Sequence, residues 1–94
     1  MTVLEKIFGR TAQSMVLESL LKKPGETTYL SGIAAETGLS HSSVARVIEP
    51  LLEQGIVTET RLGKQIRTFK LNQQNEITRL VMQFYTELSK HMEE

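Results

Sequence analysis

The amino-acid sequence predicts a mainly α fold with one small β-hairpin, an α+β class, in 94 residues. Apolar residues recur at helical spacing over most of the chain. β-branched residues gather in residues 55–72, GIVTETRLGKQIRTFKLN, around a Gly-Lys pair that suits a hairpin tip. Residues 30–51, LSGIAAETGLSHSSVARVIEPL, read as two short helices around a tight turn.

In chain order, Thr2-x-x-Glu5 has the pattern of a capping box, and Val3, Leu4, Ile7 and Phe8 follow at helical spacing. Gly9 ends or bends this first short helix. Thr11 caps the next, which runs to about Lys22 on a stripe of Val16, Leu17, Leu20 and Leu21 before Pro24-Gly25 breaks the chain. Thr27, Thr28 and Tyr29 favour a short strand. Ser31 is a plausible cap for the helix holding Ile33 and Ala34. Gly38 supplies the positive φ of the turn, and small Ala34 lets the second helix cross closely. Ser40 starts that second helix, whose core stripe is Val44, Val47, Ile48, Leu51 and Leu52. Pro50 removes one amide donor inside it, at a cost of up to ~3 kcal/mol in an ordinary helix, and a bend or loosening is expected from Arg46 to Pro50.

Two strands follow, about Ile56–Arg61 and Ile66–Leu71, joined through Leu62-Gly63-Lys64-Gln65. From about Asn75 a last helix carries Ile77, Leu80, Val81, Phe84, Leu88 and Met92 as one apolar stripe. It exposes more apolar surface than so small a fold easily covers. Pairing it, together with Val3, Leu4, Ile7 and Phe8, across a two-fold axis buries both sets; the other outcome is that the helix folds back on its own subunit.

Length and a 39% hydrophobic share bound this to a single domain over residues 1–94 with one compact core and no large internal pocket. There are no cysteines, and hence no disulfide or thiolate site. MTVLEKIFGR is too short and too charged for a signal peptide, and no run reaches membrane-spanning length, so a soluble, cytoplasmic protein is expected. No nucleophile–base–acid spacing, phosphate loop or metal-ligand cluster is visible. With His41 and His91 the only histidines, neither an enzyme nor a metal or cofactor site is indicated.

Net charge is zero, so overall charge gives no support for nucleic-acid binding. Its distribution gives some: Arg61, Lys64, Arg67 and Lys70 follow Glu59 with no acid until Glu76. Such a strip attracts phosphate or is a solvated face. Advancing about 100° per residue from the core stripe, Ser42, Arg46, Glu49 and Glu53 point outwards from the second helix. The Arg46 fork suits guanine O6 and N7, or a phosphate. Ser40, His41, Ser42 and Ser43 sit where helix amides and dipole favour a phosphate, with Ser40 as a plain cap the alternative. Glu49 and Glu53 would repel phosphates, which restricts contact to the first two turns and leaves a protein-docking role as the competing reading.

The order helix, short strand, helix-turn-helix, hairpin resembles the winged helix-turn-helix superfamily. The wording SGIAAETGLSHSSVARVIEPLLEQGIV, then Arg61-x-Gly63-Lys64, then Phe69-x-Leu71-Asn72, is similar to small prokaryotic regulators, archaeal by expectation, related to the MarR and ArsR families. The resemblance covers residues 11–72 as the winged core. It implies that residues 1–9 and 75–92 are dimerising flanks, and that a homodimer binds double-stranded DNA sequence-specifically to control transcription. It places DNA contacts at Ser40, His41, Ser42, Ser43, Ala45 and Arg46 of the recognition helix, and at Arg61, Lys64, Gln65 and Arg67 of the wing. The wing either follows phosphates or enters the minor groove. By the same analogy a small-molecule effector has room at a dimer interface, but no residue indicates which.

Overall fold

In a computed structural model, which describes residues 2–92, the chain forms five helices and three strands. They run in the order α1 (Val3–Phe8), α2 (Ala12–Leu21), β1 (Thr28–Tyr29), α3 (Leu30–Thr37), α4 (His41–Glu53), β2 (Val57–Leu62), β3 (Ile66–Leu71) and α5 (Glu76–Met92). The mainly α class with a small antiparallel sheet is therefore as the sequence predicts. The sheet order is β1-β3-β2, with Thr28 opposite Phe69, Val57 opposite Leu71 and Leu62 opposite Ile66.

Helices α2, α3 and α4 pack on one another and, with the inner face of the sheet, enclose Val16, Ile33, Val44, Ile48, Val57 and Phe69, all nearly inaccessible to solvent. Burying a side chain the size of Phe69 contributes about 2–3 kcal/mol. The turn between α3 and α4 closes as its residues dictate. Gly38 is left-handed at φ 78° and donates its amide to Ala34 O at 2.8 Å. Ser40 then caps α4 by accepting the Ser43 amide at 3.2 Å. At the other end Gly55 (φ 74°) and Ile56 donate to Leu52 O and Leu51 O, the paired bonds of a Schellman motif. Helix α4 is continuous through Pro50 to Glu53.

Three local expectations are corrected. Thr2 and Glu5 do not form a capping box: the Thr2 side chain makes no cap bond. Instead the buried Glu18 carboxylate of α2 accepts the Leu4 amide at 3.0 Å and the Thr2 hydroxyl, and it also accepts the Tyr85 hydroxyl at 3.0 Å. One side chain thus ties α1, α2 and α5 together and satisfies an orphan amide of α1. Ser31 is not the cap of α3, because that helix starts one residue earlier at Leu30 with Tyr29 before it. Finally, the stripe on α5 is split. Val81, Met82, Tyr85 and Leu88 pack on the core of the same chain, while Ile77, Leu80 and Phe84 stay exposed. Val3 and Leu4 are likewise buried within the chain, and of the apolar residues of α1 only Ile7 and Phe8 face outwards.

Candidate nucleic-acid interface

The front turns of α4 are held by residues behind them and capped from below. Val44, Val47 and Ile48 are buried, and Ser40, His41, Ser42 and Arg46 are exposed. Ser43 and Ala45 lie half-buried at the margins. Ser40 Oγ lies 3.2 Å from Ser42 Oγ and donates to Ser43 Oγ at 2.9 Å, so three hydroxyls form one chain across the helix start. With the Ser43 amide taken by Ser40, the amides of His41 and Ser42 are the first-turn donors left without an intrahelical acceptor. Among the described residues Arg46 has no ion pair or hydrogen-bond partner for its guanidinium. A planar cation, two amides and small hydroxyls on one exposed helix start can receive a phosphate and a base edge together.

The wing is built differently. Residues opposite one another in a sheet share a face, so Val57, Glu59 and Arg61 of β2 face inwards with Leu71, Phe69 and Arg67 of β3. Arg67 lies over the Phe69 ring, 5.1 Å from its centroid. Its Nε donates to Glu59 Oε2 at 2.7 Å, and its Nη2 to Glu59 Oε1 and Glu49 Oε1, each at 3.2 Å. Arg61 joins the same Glu59 carboxylate at 3.3 Å. The Arg67 hydrogen bonds hold the Glu59 carboxyl below its usual range, against a smaller opposing effect of burial. Glu59 in turn, with Glu49 after it, raises the Arg67 guanidinium.

This network revises the basic strip. Arg67 was expected among the free wing cations, yet its fork is occupied by two carboxylates, because strand register and the crossing of α4 bring Glu59 and Glu49 to it. Glu49, expected to repel phosphates from the outer helix face, is paired with the same arginine at 3.2 Å. Lys64, at the tip with Gly63 and Gln65, is exposed without an ion pair among the described residues, as is Lys70 on the outer face of β3.

Helix start and wing are brought together across an open cleft of about 250 Å³, lined by Tyr29, Leu30 and Ser31 from the β1–α3 junction, His41 from α4, and Gln65, Ile66 and Arg67 from the wing. Of the expected residues the cleft therefore joins His41, Gln65 and Arg67. Tyr29 and Ser31 were missed as surface residues. An exposed tyrosine in a strand of two residues was the available signal, and reading Ser31 as a cap obscured its place inside the first turn of α3.

Among the described residues no helix is long and apolar enough to cross a membrane. The chain resembles a possible transcriptional regulator from Methanosarcina mazei Go1, at 21% identity over 90% of this chain and 74% of that one, with a TM-score of 0.64. It also resembles a mutant of ZitR from Lactococcus lactis in apo form, at 16% identity over 95% of this chain and 67% of that one, with a TM-score of 0.57. At these identities the likeness shows a shared fold. No match was found among curated proteins. The family that matches, over residues 14–61 and so just over half of the chain, is the IclR helix-turn-helix domain rather than the MarR or ArsR type the wording suggested. That match ends within β2 and includes the whole α3–turn–α4 unit, and it supports a DNA-binding transcriptional regulator of winged-helix form. This chain belongs to the IclR helix-turn-helix domain family.

Proposed function

We propose that the chain is a non-enzymatic, cytoplasmic transcriptional regulator that binds double-stranded DNA sequence-specifically as a homodimer. Residues 11–72 form the reading unit and the flanks at 1–9 and 75–92 the dimer contact. The front of α4 enters the major groove with Ser42 and Arg46 towards the bases, and the wing lies on the backbone or in the minor groove. The observation that carries this reading is that the front turns of α4 do not pack against the subunit's own body: Ser40, His41, Ser42 and Arg46 are exposed, on a helix buried behind them at Val44, Val47 and Ile48. Tyr29 and Ser31 extend the contact along the cleft to the phosphates between the two grooves.

The exposed side chains Ile77, Leu80 and Phe84 of α5, with Ile7 and Phe8 of α1, support pairing of two copies. A two-fold axis through them sets the two recognition helices about 34 Å apart on a pseudo-palindromic site. Of the two acids on the exposed helix face that favour a protein-docking role, Glu49 is paired with Arg67, while Glu53, beyond the front turns, has no ion pair among the described residues.

The test is binding of the full chain to a random duplex and to a duplex selected from a randomised pool, at several salt concentrations. A selected-site affinity well above the random one, with both falling as salt rises, is the expected result. Absence of salt-dependent binding to either duplex defeats the reading. Sedimentation at micromolar concentration tests the dimer separately, and a clean monomer defeats that part alone.

A further inference from the structure

The wing ends on an apolar pair that folding does not require. Leu62 and Ile66 are the last cross-strand pair before the tip Gly63-Lys64-Gln65, and they remain 48% and 51% exposed. Register places both on the outer face of the sheet, away from the core, with Tyr29 on that face opposite Thr68. The rest of that face in β2 and β3 is Thr58, Thr60, Thr68 and Lys70, with no carboxylate, because Glu59 is turned inwards and bound by Arg67. Threonine at positions 62 and 66 would serve the strands as well, since β-branched residues suit them. What leucine and isoleucine add is apolar bulk immediately behind a cationic tip.

We propose that Leu62 and Ile66 act as a wedge that seats in a DNA minor groove and opens it, with Lys64 on a flanking phosphate and Gln65 at the base edges. The inference rests on the DNA-binding reading above and goes beyond it. Two strands lie about 4.8 Å apart between backbone axes, so with its own van der Waals thickness the ribbon is broader than an unperturbed minor groove, about 6 Å wide, and only its turning tip is narrower. The glycine-containing tip fits that width. The pair behind it, with a butyl side chain on each strand, does not, so deeper entry requires the groove to widen and a base step to unstack. That deformation is cheapest at TA and CA steps and most costly in stiff A-tracts. A wing that only placed Lys64 in the groove has the opposite preference, because the narrow A-tract groove has the more negative potential. Charge complementarity and continuity with the cleft shared by His41 and Ile66 favour DNA over a second copy or another protein as the occupant.

The two alternatives separate on duplexes of identical base composition. The full chain is titrated, at one salt concentration, against alternating poly(dA-dT) and against poly(dA)·poly(dT), with anisotropy as readout. The wedge predicts roughly tenfold tighter binding to the alternating duplex. It also predicts that L62T/I66T brings the two affinities within about twofold while thermal unfolding shows the variant folded. Equal affinities in the parent chain, a preference for the A-tract, or a TA preference that survives in L62T/I66T overturns the wedge and leaves DNA binding standing. Binding to neither duplex overturns both. A variant whose sedimentation changes while its duplex preference does not assigns the pair to a protein contact and also overturns the wedge.

Discussion

At the front of α4 the outward cation, Arg46, has no ion partner among the described residues, whereas at the root of the wing Arg67 has two. Both are arginines on the same candidate surface, about as far apart in sequence as α4 and β3 are. The difference lies in what stands opposite. Arg46 projects from an exposed helix face. Arg67 projects inwards from a strand whose register puts Glu59 beside it and whose sheet crosses under Glu49. An unpaired guanidinium keeps its full charge and fork for an incoming ligand. A paired one spends both on geometry, here the angle between wing and recognition helix. Counting cations along the sequence overstates the charge offered to a phosphate, and locating their carboxylates corrects it.

The sharpest way to break this comparison is to remove Arg67. Its side chain and that of Glu59 are only 22% and 18% exposed, so Arg67→Met leaves a half-buried carboxylate without its two-pronged donor. The expected loss is about 2 kcal/mol, read as a fall of roughly 10 °C in Tm by circular dichroism. Arg67→Lys recovers only part, since an ammonium lacks the planar fork. The pH dependence has a definite sign. Glu59 has a depressed pKa in the folded chain, so its contribution is present above the ordinary value of 4.5 and is lost as pH falls through the lower folded value. The parent should therefore lose Tm below about pH 4.5, and its advantage over Arg67→Met should narrow there. An unchanged Tm at neutral pH would make Arg67 a free cation after all.

Arg46→Ala acts on the other side of the comparison. It should leave Tm nearly unchanged and cost about 1–3 kcal/mol, tenfold to a hundredfold, on a selected duplex if the fork reads a base. The loss on random duplex should be much smaller. Equal losses on both duplexes would assign Arg46 to a phosphate, and the helix would then position without specifying.

Ser40 allows cap and ligand roles to be separated at one residue. Ser40→Ala removes the acceptor for the Ser43 amide and should cost about 1 kcal/mol, some 5 °C in Tm. Ser40→Asp caps as well as serine and suits the helix dipole, so stability should be retained. If a phosphate approaches the helix start, the same substitution weakens DNA binding through like-charge repulsion. A folded Ser40→Asp variant with parental affinity would confine Ser40 to capping.

Elements whose cause is local were legible in the sequence. The α4 start at Ser40 and the turn at Gly38 each follow from one residue's chemistry within four positions of its partner. The hairpin emerged nearly in register for the same reason. What escaped was set by residues distant in the chain. Glu18 caps α1 from the next helix, fourteen residues away from Leu4, and no local pattern announces it. The Arg67 network needs both the cross-strand register and the crossing of α4, eighteen residues back at Glu49. The stripe on α5 is legible as apolar, but its division into a core side and an exposed side is not. Val81 and Leu88 face the core while Ile77, Leu80 and Phe84 do not, and periodicity cannot say which side of a doubly apolar helix meets its own fold. The candidate site was therefore readable where it lies on one helix and not where it depends on how wing and helix meet.

Lys64 gives the smallest effect and the clearest contrast with Arg67. It stands at the hairpin tip with no carboxylate partner among the described residues, so Lys64→Ala should leave Tm where it is. Each phosphate contact contributes nearly one unit to the dependence of log K on log salt, so the variant's slope should be shallower by about one. The loss of affinity should be modest and the same on selected and random duplexes, because a lysine on a phosphate carries no sequence information. Arg67 would then be the cation whose removal changes melting, and Lys64 the cation whose removal changes salt dependence. A Lys64→Ala chain that melted lower and kept the parental slope would show the tip to be structural, and the division between a binding cation and a bracing one would lose its best example.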